Sequence, residues 1–145
     1  MKKFKFPLES VLKVRTLHKK VAERALAVTQ SRLNHNSREL ERNEEAYAET
    51  FRLMHQPKGD QRQWYDLSLR YLEGLRARRE RLEVEREKLA EKLEGEKKAL
   101  TRKLREEMVM EKLKEHEKAE HLRLADAEMQ AEIEEIDILK RGNPS

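Results

Sequence analysis

The sequence predicts an all-α protein: a long two-helix antiparallel coiled-coil hairpin whose second helix is the longer and overhangs the first. Three observations predict it. Residues 62–141 hold no proline and only two glycines, Gly74 and Gly95. Apolar residues recur at intervals of seven in both halves of the chain, the repeat that keeps one seam turned toward a partner helix. One break separates the halves, His55-Gln56-Pro57-Lys58-Gly59-Asp60-Gln61, where proline, glycine and aspartate cluster as they do in turns. The expected layout is a single coiled-coil domain over residues 1–145, with helix 1 at about 8–55, a turn at about 56–61 and helix 2 at about 62–141.

The composition agrees. Of the 145 residues, 43% are charged, 37% hydrophobic and 5% aromatic, and the mean hydropathy is −1.05. That is too polar for an ordinary one-core domain. The dominant residues, Ala, Leu, Glu, Lys and Arg, are strong helix formers. There is no cysteine, which excludes a disulfide framework, a zinc-thiolate site and a thiol nucleophile. The start, Met1-Lys2-Lys3-Phe4-Lys5-Phe6-Pro7, is basic without the apolar run of a secretory signal. No stretch approaches the length of apolar sequence that crosses a bilayer, so the expected location is the cytoplasm. The net charge of +4 is unevenly spread. Residues 1–30 carry eight Lys/Arg against two Glu, whereas residues 106–139 carry twelve acids against four bases.

In helix 1, Pro7 stands where a first-turn proline is tolerated, and Phe4 and Phe6 precede it. Leu8, Val11, Leu12 and Arg15, with Val14, Val21 and Val28, outline an expected apolar face. The seam then runs through Leu26, Leu33, Leu40, Tyr47 and Met54 at sevens. Its companion positions are weak, namely Ala22, Thr29, Asn36, Asn43 and Thr50. Polar seam residues lower stability but fix register and partner choice.

A short loop between long amphipathic helices makes them antiparallel neighbours, and Asp60 is a plausible N-cap for the second. Folding about Lys58 sets Leu40 opposite Arg76 and Leu8 opposite Met108, leaving about 30 residues of helix 2 uncovered. Helix 2 opens on Trp64, Tyr65, Leu67, Leu69, Tyr71, Leu72 and Leu75. Leu75, Leu82 and Leu89 step by seven, as do Leu72, Leu93 and Leu100 with Arg79 and Arg86 between them. Near Leu100 and Leu104 the apolar phase slips, and a fresh stripe runs through Leu122, Ala125, Met129, Ile133 and Ile136. Slips of this kind rewind a coiled coil locally. Gly142, Asn143 and Pro144 are expected to stop the helix.

Little in the chain suggests catalysis. His116 and His121 are five apart, whereas two zinc ligands on one helical face need a spacing of four. There is no Gly-rich phosphate loop and no Ser/His/Asp arrangement. No metal, cofactor or enzymatic activity is expected. The run Arg76-Ala77-Arg78-Arg79-Glu80-Arg81 has the look of a zipper's basic region, but Glu73, Glu80, Glu83 and Glu85 interrupt it. Polyanion binding needs an unbroken basic stripe, so no specific nucleic acid is expected. The basic N-terminus suits at most a peripheral contact with an anionic membrane. Trp64, Tyr71 and Leu75 either cap the seam at the hairpin end or form an exposed anchor patch, since Trp and Tyr are favoured hot-spot residues.

The opening Phe4-Lys5-Phe6-Pro7-Leu8-Glu9-Ser10-Val11-Leu12-Lys13-Val14-Arg15 resembles the N-terminus of the flagellar FliJ family. The break near residue 58, the aromatic-led second helix and the closing Glu128-Met129-Gln130-Ala131-Glu132-Ile133-Glu134-Glu135-Ile136-Asp137 extend the resemblance over nearly the whole chain. It implies a non-enzymatic component of the flagellar type III protein export apparatus, needed for flagellum assembly and hence motility. It further implies a coiled coil similar to the central stalk of rotary ATPases. Such a stalk sits at the hexameric export ATPase, FliI, engages the export gate protein FlhA and is linked to export chaperones, at the cytoplasmic face of the inner membrane. Carried onto this sequence, the ATPase ring would meet Phe4, Phe6, Leu8, Val11, Leu12, Ile133, Ile136 and Leu139, and the gate would meet Trp64, Tyr71 and Leu75. The equivalent stalk of a virulence-type secretion system is the alternative with the same physics. A basic coiled-coil nucleic-acid binder is the more distant one.

Overall fold

A computed structural model describes residues 2–56 and 62–142. The chain is two helices, α1 (Glu9–Met54) and α2 (Arg62–Arg141). They pack antiparallel as a helical hairpin, and the second is much the longer. The turn residues from Pro57 to Gln61, including the expected N-cap Asp60, lie outside the described residues, as do Asn143 and Pro144.

Local chemistry accounts for the ends. The Glu9 amide bonds the Phe6 carbonyl at 3.2 Å, and the Leu12 amide bonds the Leu8 carbonyl at 3.0 Å, so Pro7 sits in the turn that leads into α1. Glu9 occupies the first turn and Arg52 the last, each the sign that suits the helix dipole. At the exit the His55 and Gln56 amides reach back to Arg52 and Leu53 at 3.3 Å, three-residue bonds that tighten a final turn. The Gly142 amide bonds the Ile138 carbonyl at 2.9 Å. No described glycine takes a positive φ, so Gly142 continues the last turn and does not form a left-handed cap.

The chain divides into two compact units, each with a stretch of both helices: residues 22–100, and residues 1–21 with 101–145. In the first, Met54, Leu72 and Leu75 form the buried cluster, with Ala46 and Tyr47 against it. Leu89 and Leu93 are buried as well. Along α1 the three most covered positions are Thr29, Asn36 and Asn43, at 1%, 2% and 6% exposure. Leu26, Leu33, Leu40 and Tyr47 are half-buried beside them, as is Leu82 on α2. The polar column is therefore the centre of this seam and the leucine column its shoulder. Short side chains let the helix backbones approach, so Asn36 Nδ2 donates to the Leu82 carbonyl at 2.9 Å and Asn43 Nδ2 to the Leu75 carbonyl at 3.1 Å. These pairs stand within about one turn of the register expected from a fold about Lys58.

In the second unit the seam is charged. Arg15 pairs with Glu106 at 2.7 Å, Lys19 with Glu107 at 3.0 Å and Glu9 with Lys114 at 2.9 Å. Glu107 is buried at 6% exposure. Covered positions follow three-four spacing through Lys103, Glu107, Met110, Lys114, Glu117 and His121 to Ala125. Three sequence expectations change here. Glu9 faces Lys114, which moves the expected Leu8–Met108 register by about two helical turns. The apolar slip near Leu104 is a stretch where polar residues hold the seam, while Leu104, Met108 and Val109 face outward. The expected fresh stripe is covered only at Ala125, because Leu122, Met129, Ile133 and Ile136 are each more than half exposed. The uncovered part of α2 accordingly begins at Asp126, well beyond Met108.

Candidate interaction surfaces

The N-terminal segment is held by side chains although it precedes the helix. Phe6 is buried at 7% and Leu12 at 8%. The Phe4 ring lies 5.6 Å from the His121 imidazole, and His121 Nε2 meets the Lys2 carbonyl at 3.0 Å. Through that bond and ring contact His121 anchors the segment. His116 is exposed, and no group of three or more His, Cys, Asp or Glu able to hold a metal occurs among the described residues.

The residues that the resemblance assigns to the ATPase ring fall into two patches. Phe6 and Leu12 are buried, Phe4 is half-buried, and Leu8 and Val11 are partly exposed. Ile133, Ile136 and Leu139 stand well exposed on the uncovered part of α2. Phe4 lies against His121, so Ile133 begins about 18 Å further along the helix. The structure does not bring the two patches into contact.

The residues assigned to the gate divide by burial. Leu75 is in the core at 8% exposure, packed with Met54 and Leu72. Trp64 and Tyr71 are exposed at 37% and 52%. Below them Arg76 reaches Tyr47 through a 2.8 Å bond to the phenol oxygen, its guanidinium 5.6 Å from the ring centroid. Arg78 bonds Glu39 at 2.7 Å and Arg79 bonds Glu83 at 3.1 Å. These arginines of the basic run thus have partners within the chain.

Val14, Val21 and Val28 are about half exposed and do not belong to the covered face of α1. Each follows a seam position by two residues (Leu12, Lys19 and Leu26), which puts it about 200° around the axis. That offset is the sequence signal that separates them from the seam. Leu17, exposed at 58%, completes a row with Val14 and Val21 that sequence reasoning missed.

Electrostatics is local. The Lys19 ammonium and the Thr16 hydroxyl hold the Glu107 carboxyl below its ordinary range, against a smaller opposing effect of burial. The Arg15 guanidinium does the same to Glu106, with help from Lys103. No helix among the described residues is long and apolar enough to cross a membrane.

Two packed helices, with ion pairs and hydrogen bonds along the seam and large apolar side chains left on outer faces, define a two-helix hairpin scaffold. The family described as "Flagellar FliJ protein" matches residues 4–140, essentially the whole chain. The chain belongs to the FliJ family, a family of non-catalytic export components, which implies a component of flagellar type III export. Neither the curated proteins nor the solved structures gave a match.

Proposed function

We propose that the chain is a stalk-like adaptor of the flagellar export machine. It binds the export ATPase ring, links the ring to the export gate and is required for flagellum assembly and motility. The observation that carries this reading is the uncovered end of α2, residues 126–141, with Met129, Ile133, Ile136 and Leu139 each more than half exposed. A helix face of that kind needs a partner. That face suits insertion in a ring, and the exposed Trp64 and Tyr71 suit a separate contact with the gate. Family membership supports the setting, and the exposed aromatics supply the anchor chemistry expected at a gate contact.

The test is the rate of ATP hydrolysis by the cognate export ATPase with and without this protein, with light scattering on the same samples. Stimulation with ring formation at about one copy per hexamer, lost in Ile133→Ser/Ile136→Ser, supports the stalk. An unchanged rate with a fully helical protein overturns it.

A further inference from the structure

Two uncovered apolar faces in the unit formed by residues 1–21 and 101–145 have opposite charge. On α1, Val14, Leu17 and Val21 form an outward row exposed at 48%, 58% and 58%. They are flanked by Lys13, His18 and Lys20, and the segment before them adds Lys2, Lys3 and Lys5. On α2, Met129, Ile133 and Ile136 are exposed at 56%, 53% and 55%. They stand among Asp126, Glu128, Glu132, Glu134, Glu135 and Asp137. Neither face can cover the other within one molecule. The α1 row lies on the side away from α2, and the tail begins beyond the point where Phe4 meets His121.

We propose that the occupant of each face is a second copy of this chain, the acidic tail of one molecule lying along the basic outer face of its partner's α1. Three features of the fold favour this occupant. The charges are complementary, whereas an anionic lipid surface would attract the α1 face and repel the tail beside it. The lengths suit as well, since residues 126–141 span about 24 Å of helix, enough to pass the partner's N-terminal segment and reach the opening turns of its α1. Finally, the geometry closes. Met129, Ile133 and Ile136 continue the side of α2 that carries Ala125, buried at 5%, so the tail stripe points to the side on which the N-terminal segment ends. A two-fold axis near that junction lays each tail along the partner's N-terminal segment and the opening turns of its α1. One pairing generates the other, as closed two-fold association requires.

Each contact is small beside the roughly 800 Å² per partner of a standard stable interface, and there are two of them. The dimer is therefore weak, with dissociation in the micromolar range and a strong dependence on salt. The proposal does not rest on the ring reading, although self-association would occupy Ile133 and Ile136 and so compete with any ring contact there.

Sedimentation equilibrium on the full chain at low and high salt tests it. The expected result is a monomer–dimer equilibrium that weakens at least tenfold between about 50 and 500 mM salt. Lys13→Glu/Lys20→Glu alone, or Asp126→Lys/Glu132→Lys alone, should give monomers of unchanged helicity, because both pairs are exposed. Mixing the two variants should restore a dimer, since every contact in the mixed pair is again complementary. A wild-type monomer up to about 200 µM overturns the proposal, as does a dimer indifferent to both reversals. Flotation of a monomeric wild type with phosphatidylserine vesicles, lost in Lys13→Glu/Lys20→Glu, would also overturn it by naming lipid as the occupant.

Discussion

Asn43 on α1 donates its side-chain amide to the backbone carbonyl of Leu75 on α2 at 3.1 Å, while the Leu75 side chain packs into the cluster with Met54 and Leu72. One residue of α2 thus takes both a polar and an apolar contact from α1. Asn36 repeats the polar half with Leu82 at 2.9 Å. These two bonds single out one register from the several that a leucine seam permits.

Replacing both asparagines should therefore separate stability from specificity. Polar seam residues cost stability and specify pairing. Each accepting carbonyl lies within the α2 helix and keeps its own helical bond when the asparagine is removed. Asn36→Leu/Asn43→Leu is expected to melt several degrees higher than the parent. Spin labels at Arg38 and Arg81 should give one distance in the parent and a broadened or split distribution in the variant. A narrow distribution at the parental distance would mean that the asparagines do not set register.

How much of this was legible in the sequence depends on what the seam is made of. Where leucines and Tyr47 recur at sevens, both helices and the break between them could be read directly. Thr29, Asn36 and Asn43 were legible as seam positions but not as its most buried ones, because closeness of approach follows side-chain size, not hydropathy. Between Lys103 and His121 apolar periodicity goes silent. Glu107 is buried there because Lys19 meets it, and a pairing between residues so far apart in sequence leaves no trace in a local pattern. Register was legible near the turn, where counting from Lys58 comes within about one turn of the Asn36–Leu82 pair, and was lost only farther along, where Glu9 meets Lys114, for the same reason.

Glu107 makes the charged seam sensitive to acid. Lys19 and Thr16 lower its pKa from the ordinary value of 4.5, so the folded state binds this proton less readily than the unfolded chain. The stabilisation is present above about pH 4.5 and is lost as pH falls through the lower, folded pKa. Glu106, lowered by Arg15, acts in the same direction and window. Melting temperature should fall steeply on acidification below about pH 4.5 in the parent. It should fall less in Glu107→Gln, which starts lower at pH 7 by about 1 kcal/mol, as for a pair between two solvated helices. Equal slopes in parent and variant would remove Glu107 from the account.

Gly74 and Gly95 lie within α2, and a β-carbon built at either meets nothing within 4 Å. Neither has a positive φ. Glycine in a helix interior costs about 0.5–1 kcal/mol relative to alanine, and nothing here offsets that cost. Gly74→Ala/Gly95→Ala should stabilise the chain by about 1–2 kcal/mol in urea unfolding. A destabilised variant would show that one of these faces is covered in solution by a partner whose approach requires glycine.

The family resemblance groups Tyr71 and Leu75 with Trp64 as one gate-contact patch, and burial divides the first two. Leu75 is packed against Met54 and Leu72, so Leu75→Ala creates a cavity and should cost about 2–4 kcal/mol, with any loss of gate binding following from the lost fold. Tyr71 is half exposed, so Tyr71→Ala should leave the melting curve within about 0.5 kcal/mol of the parent. If the aromatic patch is the gate contact, Tyr71→Ala and Trp64→Ala each weaken binding of the gate's cytoplasmic domain about tenfold in calorimetry, as expected of aromatic anchors. Unchanged affinity in both variants, with helicity intact, would free the hairpin end of α2 from that role.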